Sequence, residues 1–292
     1  MNPPPTTGCP PSITEENRSE SWYHTIALPD GTSTNGLFDM RGTARLVPWP
    51  AGLKSGRCLD IGTCDGFWAF EMERRGAAEV VAIDVGDAND LDLTLEARRR
   101  GAETPRAPAG TRAGRRFEIA RRALGSRVER LACSVYDLDP SIHGRFDVVF
   151  CGTLLIHLRD PIRALERMRE VCAGELVLVE CVDAFLDLFG LGVPSARLEP
   201  APGQWWRNNT AGLISALRVA GFDVISVSRR FLTPFGPGVT ARASGWRRPL
   251  VAASALLARW PALSSMPFLV EAVGLACGTY DIAVRARPRL PP

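Results

Sequence analysis

The sequence predicts an α/β fold with a doubly wound, mostly parallel sheet of seven strands. Short apolar runs of strand length alternate along the chain with segments whose apolar residues recur at helical spacing. Two of those segments, 160–174 and 209–222, open on Asp-Pro or Asn and reach a Gly near their end, as capped helices do. Strands that alternate with helices form βαβ units, so we expect both faces of the sheet to be covered.

The apolar runs are assigned to strands in chain order. The predicted strands span residues 57–61, 80–84, 128–134, 146–151, 175–181, 223–228 and 280–286. A short helix at 67–75 follows the first strand, and the helix at 160–174 carries Ile162, Leu165 and Met168 on one face. Parallel strands need such crossover helices between them.

Other segments lie outside this scheme of strands and helices. Pro-rich residues 1–20 are expected to form a disordered tail, and residues 21–50 an N-terminal cap. The core then spans 51–231, a helical insertion spans 232–276, and 277–292 hold the last strand and a tail. Because the insertion is apolar, we expect it to cover part of the core or to contact a second copy in a homodimer.

Composition narrows the classes of protein that fit. Apolar residues make up 46% and charged residues 23% of the 292 residues, as in an ordinary globular chain. The eight cysteines form no C-x-x-C pair and have no metal-ligand spacing to the three histidines. We therefore expect no metal, and a reducing, cytoplasmic environment. No apolar run reaches the ~18 residues of a membrane span, so we expect no membrane partner.

Residues 94–130 are rich in arginine, with eleven arginines against four glutamates. Such charge suits phosphate binding. Base stacking, however, needs interleaved aromatic side chains, and Phe117 is the only one in this segment. We interpret the segment as a solvated helical face and expect no nucleic-acid partner.

A Gly-rich turn follows the first predicted strand, where residues 62–66 read Gly-Thr-Cys-Asp-Gly. Glycines allow a tight turn and let the backbone approach a ligand closely. In open α/β sheets, ligands bind outside the carboxyl ends of the strands, where this turn lies. Asp84 closes the next strand, 24 residues after Asp60, and suits a bidentate contact with ribose hydroxyls. The pattern indicates a nucleoside ligand.

The spacing of the turn favours one nucleoside over another. A dinucleotide site has the pattern G-x-G-x-x-G, whereas this chain has D-x-G-x-C-x-G from Asp60 onward. The carboxylates of Asp60 and Asp65 would repel a pyrophosphate but suit the cationic amino acid end of S-adenosylmethionine (SAM). The pattern resembles the D-x-G-x-G-x-G of class I SAM-dependent methyltransferases, from which it differs by one substitution.

Further segments extend the resemblance over about residues 21–230 and the final strand. HGRFDVVFCGTLLIHLRDPIRALERMREV, residues 143–171, resembles the fourth strand and following helix of that superfamily, and GELVLVECVD resembles its fifth strand. With WYHTIALPDG, LFDMR and WWRNNTAGLISALRVAGF, the chain is similar to methyltransferases related to the tRNA uridine-5-oxyacetate (carboxymethyl-transferring) enzyme. Many of these are stand-alone enzymes of small-molecule biosynthesis. The resemblance implies a Rossmann-like methyltransferase sheet.

Carried over residue by residue, the resemblance also implies a site for SAM as cofactor. The glycine-rich segment would hold the methionine end and the acid after the second strand the ribose. Residues after the third strand would border the adenine, and residues at the end of the fourth would lie under the sulfonium. The implied cofactor-binding residues are Asp60, Gly62, Thr63, Asp65, Gly66, Asp84, Ser134, Val135, Cys151 and Gly152.

Two positions depart from the family pattern. Cys64 replaces the middle glycine of the turn, so we expect an ordinary backbone φ there. Ile156 stands where the carboxymethyl-transferring enzyme has a tyrosine. Because an apolar side chain cannot hydrogen-bond the extra carboxylate of that donor, plain SAM is the expected donor.

Two histidines are the candidate catalytic residues. His157 is interpreted either as a general base near the acceptor or as a residue that orients its loop and the next helix. His24 lies in the cap and either deprotonates or aligns an acceptor, or packs within the cap. Both interpretations stay open for each histidine.

Five residues are candidates for contact with the acceptor. The aromatic ones would stack on a planar molecule, and Asn209 is in addition a predicted N-cap of the helix that follows it. The candidates are Trp22, Tyr23, Trp205, Trp206 and Asn209.

The predicted function is methyl transfer from SAM to a small-molecule acceptor in specialised-metabolite biosynthesis. One alternative is a tRNA wobble-uridine methyltransferase, and another is a SAM-binding partner protein without transfer activity. The sequence does not identify the acceptor or the atom that is methylated.

Overall fold

The computed structural model describes residues 20–99, 114–198, 203–242 and 278–289. The predicted tail, except residue 20, lies outside the described residues. The same holds for the two apolar helical patterns of the predicted insertion, 249–259 and 267–276.

Within the described residues, the predicted runs form strands close to the expected bounds. The strands are β1 Arg57–Ile61, β2 Glu79–Asp84, β3 Glu129–Ala132, β4 Phe146–Gly152, β5 Cys172–Cys181, β6 Ala196–Leu198, β7 Trp206–Asn208, β8 Phe222–Val227, β9 Phe231–Pro234 and β10 Gly278–Pro288. The helices are α1 Phe67–Arg74, α2 Leu95–Arg99, α3 Arg115–Leu124, α4 Pro140–His143, α5 Pro161–Val171, α6 Ala184–Phe189, α7 Thr210–Val219 and α8 Pro237–Arg242. β3 ends before its predicted bound because Ser134 caps a 3-10 helix at Val135–Asp137.

The central sheet has the strand order β3-β2-β1-β4-β5-β10-β8. β1 pairs in parallel with β2 and β4, whereas β10 is antiparallel to β5 and β8. An eighth strand, β9, pairs with the first residues of β10. The sequence pattern did not predict β9, because this strand has only four residues and ends in proline. The prediction of a doubly wound, mostly parallel α/β sheet is confirmed, with one strand added.

Both faces of the sheet are apolar and covered, because alternate residues of a strand point to opposite faces. Leu59 and Ile61 of β1 belong to the buried cluster that includes residues of α5 and α7. Cys58 and Phe150 belong to a second cluster, which includes residues of α1, α3 and the N-terminal segment. The predicted helices therefore lie on opposite faces of the sheet, as a doubly wound fold requires.

The segment before β1 packs against the second cluster. Trp22 exposes only 1% of its surface, and His24 and Phe38 form an isolated bridge across the segment. Arg116 of α3 is buried and donates to the carbonyl oxygen of Ser21 at 2.5 Å. The interpretation of the arginine-rich segment as a solvated face is therefore wrong for Arg116, which joins α3 to this N-terminal segment.

The strand order reverses between β1 and β4, which are neighbours in the sheet. The helix after β1 covers one face, and the helix after β4 covers the other. The connections leave the carboxyl ends of these strands in opposite directions, and this divergence opens a crevice where ligands bind in such folds. Among the helices of the described residues, none combines the length and the hydropathy that crossing a membrane requires.

Candidate functional site

A cavity opens at the carboxyl ends of the parallel strands. Tyr23, Phe38 and Met40 of the N-terminal segment form one wall of this cavity. The predicted site residues that line it are Tyr23, Gly62, Asp84, Ser134, Val135 and His157. The cavity therefore lies at the carboxyl ends of the strands, where the sequence predicted a ligand site.

The turn between β1 and α1 uses left-handed backbone at Gly62, Cys64 and Gly66, with φ of 73°, 55° and 96°. The expectation of an ordinary φ at Cys64 is wrong. Left-handed backbone at a residue with a side chain costs about 1–2 kcal/mol. The Cys64 N–H donates to Asp84 Oδ2 at 2.8 Å, and a hydrogen bond to a charged group is worth about 1.5–3 kcal/mol. The bond to Asp84 therefore offsets the backbone cost.

Gly66 serves close packing and does not line the cavity. A Cβ at Gly66 would lie 2.4 Å from Cε2 of Phe70 and 2.8 Å from Cδ2 of Phe117. Both rings are buried in the cluster beneath the turn. The glycine thus lets α1 begin directly over these rings.

Asp84 lies half-buried at the end of β2 and lines the cavity. Its Oδ2 accepts the Cys64 N–H, and its Oδ1 accepts the Val85 N–H, each at 2.8 Å. The two carboxylate oxygens, fixed in this way in the lining of the cavity, suit the two hydroxyls of a ribose.

Ser134 and Val135 follow β3 and line the same side of the cavity. Asp90 to Leu93 and Tyr136 also line the cavity, although the sequence pattern did not single them out. The Tyr136 hydroxyl donates to Asp92 Oδ2 at 2.7 Å. Burial and this hydrogen bond raise the pKa of Tyr136. The alternating Asp-Leu-Asp-Leu at 90–93 is the sequence feature that could have indicated these lining residues.

Four further predicted cofactor residues are not among the residues that line the cavity. Asp60, Thr63 and Cys151 are each at most 2% exposed. The buried Thr63 hydroxyl has no hydrogen-bond partner within the described parts of the chain. A Cβ at Gly152 would lie 2.9 Å from Nε1 of Trp68, so no larger side chain fits at that position.

His24 and Asp65 are not among the lining residues; they bond to each other. Both are buried, and His24 Nδ1 bonds to Asp65 Oδ1. Asp65 Oδ2 accepts the backbone N–H groups of Tyr23 and His24 at 2.8 and 2.9 Å. Burial raises the pKa of Asp65, but the His24 imidazole and the Arg116 guanidinium outweigh it, so the pKa is lowered overall. The structure favours packing for His24 and ties Asp65 to the N-terminal segment instead of to a ligand.

His157 lies in a short 3-10 helix after β4 and lines the cavity. Its Nδ1 is 2.5 Å from the carbonyl oxygen of Gly203. A carbonyl only accepts hydrogen bonds, so Nδ1 carries the proton and a neutral ring has its lone pair on Nε2. This tautomer is the one in which Nε2 can accept a proton.

The other residues that were predicted to contact the acceptor form hydrogen bonds within the protein or lie in its core. Trp205 Nε1 donates to the carbonyl oxygen of Asp92 at 2.6 Å, and Trp206 Nε1 to that of Arg159 at 3.1 Å. Asn209 is fully buried and caps α7 by accepting the Gly212 N–H at 2.7 Å. With Trp22 in the core, these residues lie outside the lining. The N-cap prediction for Asn209 is confirmed.

Polar residues that the sequence did not single out for contact also line the cavity. They are Thr153, Gln204, Arg207 and Thr279. Within the described residues, no group of three His, Cys, Asp or Glu side chains could hold a metal ion.

The residues present fit SAM. A left-handed glycine lines the cavity where the cofactor would approach β1, and the Asp84 carboxylate offers acceptor oxygens to a ribose. Asp90 and Asp92 add carboxylates on the same side, which suits a cationic ligand.

Comparison with known families agrees with this geometry. Residues 38–227 match a family described as a methyltransferase domain. The match covers more than half of the chain and contains the turn, Asp84 and His157.

Similarity to individual curated proteins is more distant than the match to the family. The chain is 26% identical over 203 residues to a tRNA U34 carboxymethyltransferase of Cellvibrio japonicus, a match that covers 69% of this chain and 54% of the relative. The corresponding Pseudomonas aeruginosa (strain LESB58) protein is 30% identical over 174 residues, covering 58% and 46%. The chain thus spans about half the length of these curated relatives.

Solved structures share the fold. The 1,6-didemethyltoxoflavin-N1-methyltransferase of Burkholderia thailandensis has a TM-score of 0.50 at 16% identity, covering 86% of this chain and 78% of that chain. The N-terminal domain of EvdMO1 has a TM-score of 0.52 at 19% identity, covering 95% and 96%. The family match, the sheet and the cavity at the strand ends agree: the chain belongs to the methyltransferase domain family and has its class I fold.

Proposed function

We propose that this methyltransferase acts on a small-molecule acceptor of specialised metabolism, with His157 as general base. The observation that supports this most is the apolar part of the cavity lining. Tyr23, Phe38, Met40, Leu154 and Ile156 all line the cavity. Such apolar walls suit a small, partly apolar molecule.

The cavity has two ends along the edge of the sheet. Gly62 and Asp84 mark the end at β1 and β2, where the cofactor would lie, and Cys181 and Thr279 mark the end at β5 and β10. With β1 and β4 between β2 and β5, these ends are about 14 Å apart at the usual spacing of strands. His157 follows β4, between the two ends.

When bound, SAM supplies a methyl group on a cationic sulfur, which an acceptor lone pair can displace. Asp84 would hold the ribose, and the turn at 62–66 would shape the cofactor end of the cavity. His157, whose Nδ1 is held by the Gly203 carbonyl, would take on Nε2 the proton that an oxygen or nitrogen acceptor loses. The N-terminal wall would exclude water from the acceptor.

Two isosteric variants of His157 test this role. His157→Asn keeps an N–H near the position of Nδ1, whereas His157→Gln places its amide near the position of Nε2. For a general base, both variants should lower kcat by about 100-fold or more while the affinity for SAM stays unchanged. The measurement is transfer of labelled methyl to candidate acceptors, with SAM affinity by calorimetry. Full turnover in His157→Asn would assign His157 to loop orientation instead.

The sequence similarity to tRNA U34 carboxymethyltransferases favours a second candidate, a tRNA acceptor. Several arginines of the basic segment are, however, paired with acids: Arg115 with Glu20 at 2.5 Å and Arg121 with Glu118 at 3.0 Å. Such pairing weakens phosphate binding. Labelled methyl recovered in tRNA, and not in small molecules, would establish the tRNA function and contradict ours.

A further inference from the structure

Thr153 has a backbone conformation that threonine rarely adopts. It directly follows β4, lies half-buried and lines the cavity. Its φ is 48°, in the left-handed region, where a Cβ crowds the following carbonyl oxygen. A β-branched residue is an outlier there, whereas glycine adopts the same backbone without strain. The side chain is therefore present at this position at a cost in stability.

Contacts on both sides hold Thr153 in this conformation. Its N–H donates to the carbonyl oxygen of Val179 at 2.7 Å, and the Leu155 N–H donates to Glu180 Oε2 at 2.8 Å. Both acceptors belong to β5. Gly152, which precedes Thr153, is the register partner of Val179. Backbone strain that the surrounding structure maintains in this way clusters at functional sites, so the side chain of Thr153 is a candidate for a role in the site.

Thr153 lies between the two ends of the cavity. Gly62, at the cofactor end, directly follows β1, and β1 pairs in parallel with β4. Neighbouring strands are about 4.8 Å apart, so Thr153 and Gly62 lie side by side at the edge of the sheet. On the other side of β4, Cys181 ends β5 and belongs to the acceptor end. A methyl group that passes from cofactor to acceptor must cross this part of the cavity.

The hydroxyl of Thr153 matches a methyl group that carries positive charge. Among the described residues, none forms a hydrogen bond with this hydroxyl, whereas the hydroxyl of Thr279, at the acceptor end, donates to Asp281 Oδ2 at 3.2 Å. A hydroxyl oxygen has two lone pairs that can accept. In SAM the cationic sulfur polarises the C–H bonds of the methyl group, and a polarised C–H is a weak hydrogen-bond donor.

We propose that the hydroxyl oxygen of Thr153 contacts the methyl group of SAM and stabilises its positive charge. The protein thereby distinguishes SAM from S-adenosylhomocysteine, which lacks both the methyl group and the charge. The strained backbone keeps the oxygen at this point of the cavity. This inference rests on the position that the proposed function gives to the cofactor, but it holds for any acceptor.

The test compares the affinities of three ligands for the full chain, measured by calorimetry. They are SAM, S-adenosylhomocysteine and sinefungin, in which a carbon that bears a protonated amine replaces the sulfonium and its methyl group. Thr153→Val keeps the shape of the side chain and removes the oxygen. We expect SAM to bind this variant about 2–5-fold more weakly, the range for a weak hydrogen bond. Sinefungin should lose about 10–100-fold, because its amine forms a charge-assisted hydrogen bond. S-adenosylhomocysteine should bind unchanged.

Two further variants serve as controls. Thr153→Ser retains the hydroxyl and should bind all three ligands like the wild type. Thr210→Val should do the same, because Thr210 is also half-buried but is not among the residues that line the cavity.

Three outcomes would contradict the inference. An equal loss for all three ligands in Thr153→Val would show that Thr153 only shapes the cavity. No loss for SAM and sinefungin would show that its oxygen does not contact the methyl group. Either result overturns the inference and leaves the proposed function standing. If the wild type binds none of the three ligands, the proposed function is wrong as well.

Discussion

At the scale of single residues, Asp84 joins two connections of the fold and lines the cavity. Its carboxylate fixes the N–H groups of Cys64 and Val85, which belong to two different connections at the carboxyl edge of the sheet. This side chain therefore shapes the turn, which explains why a residue other than glycine is tolerated at Cys64. In our proposal it also presents acceptor oxygens to the ribose of the cofactor.

We predict that Asp84→Asn weakens binding of S-adenosylhomocysteine. Asparagine keeps the size of the side chain but loses the charge and one of the two acceptor oxygens. The dissociation constant should rise about 10–100-fold, measured by calorimetry. Asp223→Asn is the control, because Asp223 lies on β8, pairs with Arg289 and is not among the residues that line the cavity. Unchanged affinity in Asp84→Asn would refute the ribose assignment.

At the scale of elements, the N-terminal segment and the β1–α1 turn are joined by one buried acid. Asp65 accepts two backbone N–H groups from residues 23 and 24 and bonds to the His24 ring. Arg116 of α3 reaches the same place and donates to Ser21. Three elements that are distant in the chain therefore share one network, in which a single substitution leaves several groups without partners.

We predict that Asp65→Asn lowers the free energy of unfolding by about 3 kcal/mol at neutral pH, the cost of breaking a buried pair. The pKa of Asp65 is lowered in the fold from its ordinary value of 3.8. Its contribution is therefore complete above that value and is lost as the pH falls through the lower folded pKa. Urea denaturation at pH 7 and pH 3 should show the difference between wild type and variant shrinking at the lower pH.

Asp39→Asn provides the comparison, because Asp39 pairs with Arg41 in the same segment but is partly exposed. A pair of this kind is worth about 0–1 kcal/mol. An equal loss of stability in the two variants would show that Asp65 is no more important than a surface acid.

At the scale of the whole molecule, the N-terminal segment is part of the core. Trp22, Ile26 and Met40 belong to the same buried cluster as Val148 and Phe150 of the central strand β4. Trp49 stacks on Phe150 with ring centroids 5.3 Å apart. The segment and the sheet should therefore unfold together. The homodimer and the cytoplasmic location stay predictions.

We predict that Trp22→Ala lowers the free energy of unfolding by about 3–5 kcal/mol, because it leaves a large cavity. Urea denaturation followed by far-UV circular dichroism and by fluorescence should give one coincident transition. Leu46→Ala, at a site that is 54% exposed in the same segment, should cost much less. An early separate transition, with the stability of the sheet unchanged, would mean that the segment is an independent cap.

The sequence by itself determined the strands, the helices on both faces, the Gly-rich turn and the acid at the end of β2. These depend on local periodicity, on capping residues and on the rule that parallel strands end at one edge. Only the tertiary structure decided the roles of the separate side chains. His24 meets Asp65 across 41 positions of the chain, and Trp205 meets Asp92 across 113. Arg207 of β7 lines the cavity, and β7 is held close to the end of β5 by the hydrogen bond from the Asp183 N–H to the Asn208 carbonyl oxygen. Such contacts depend on how distant segments pack, and no local pattern encodes them.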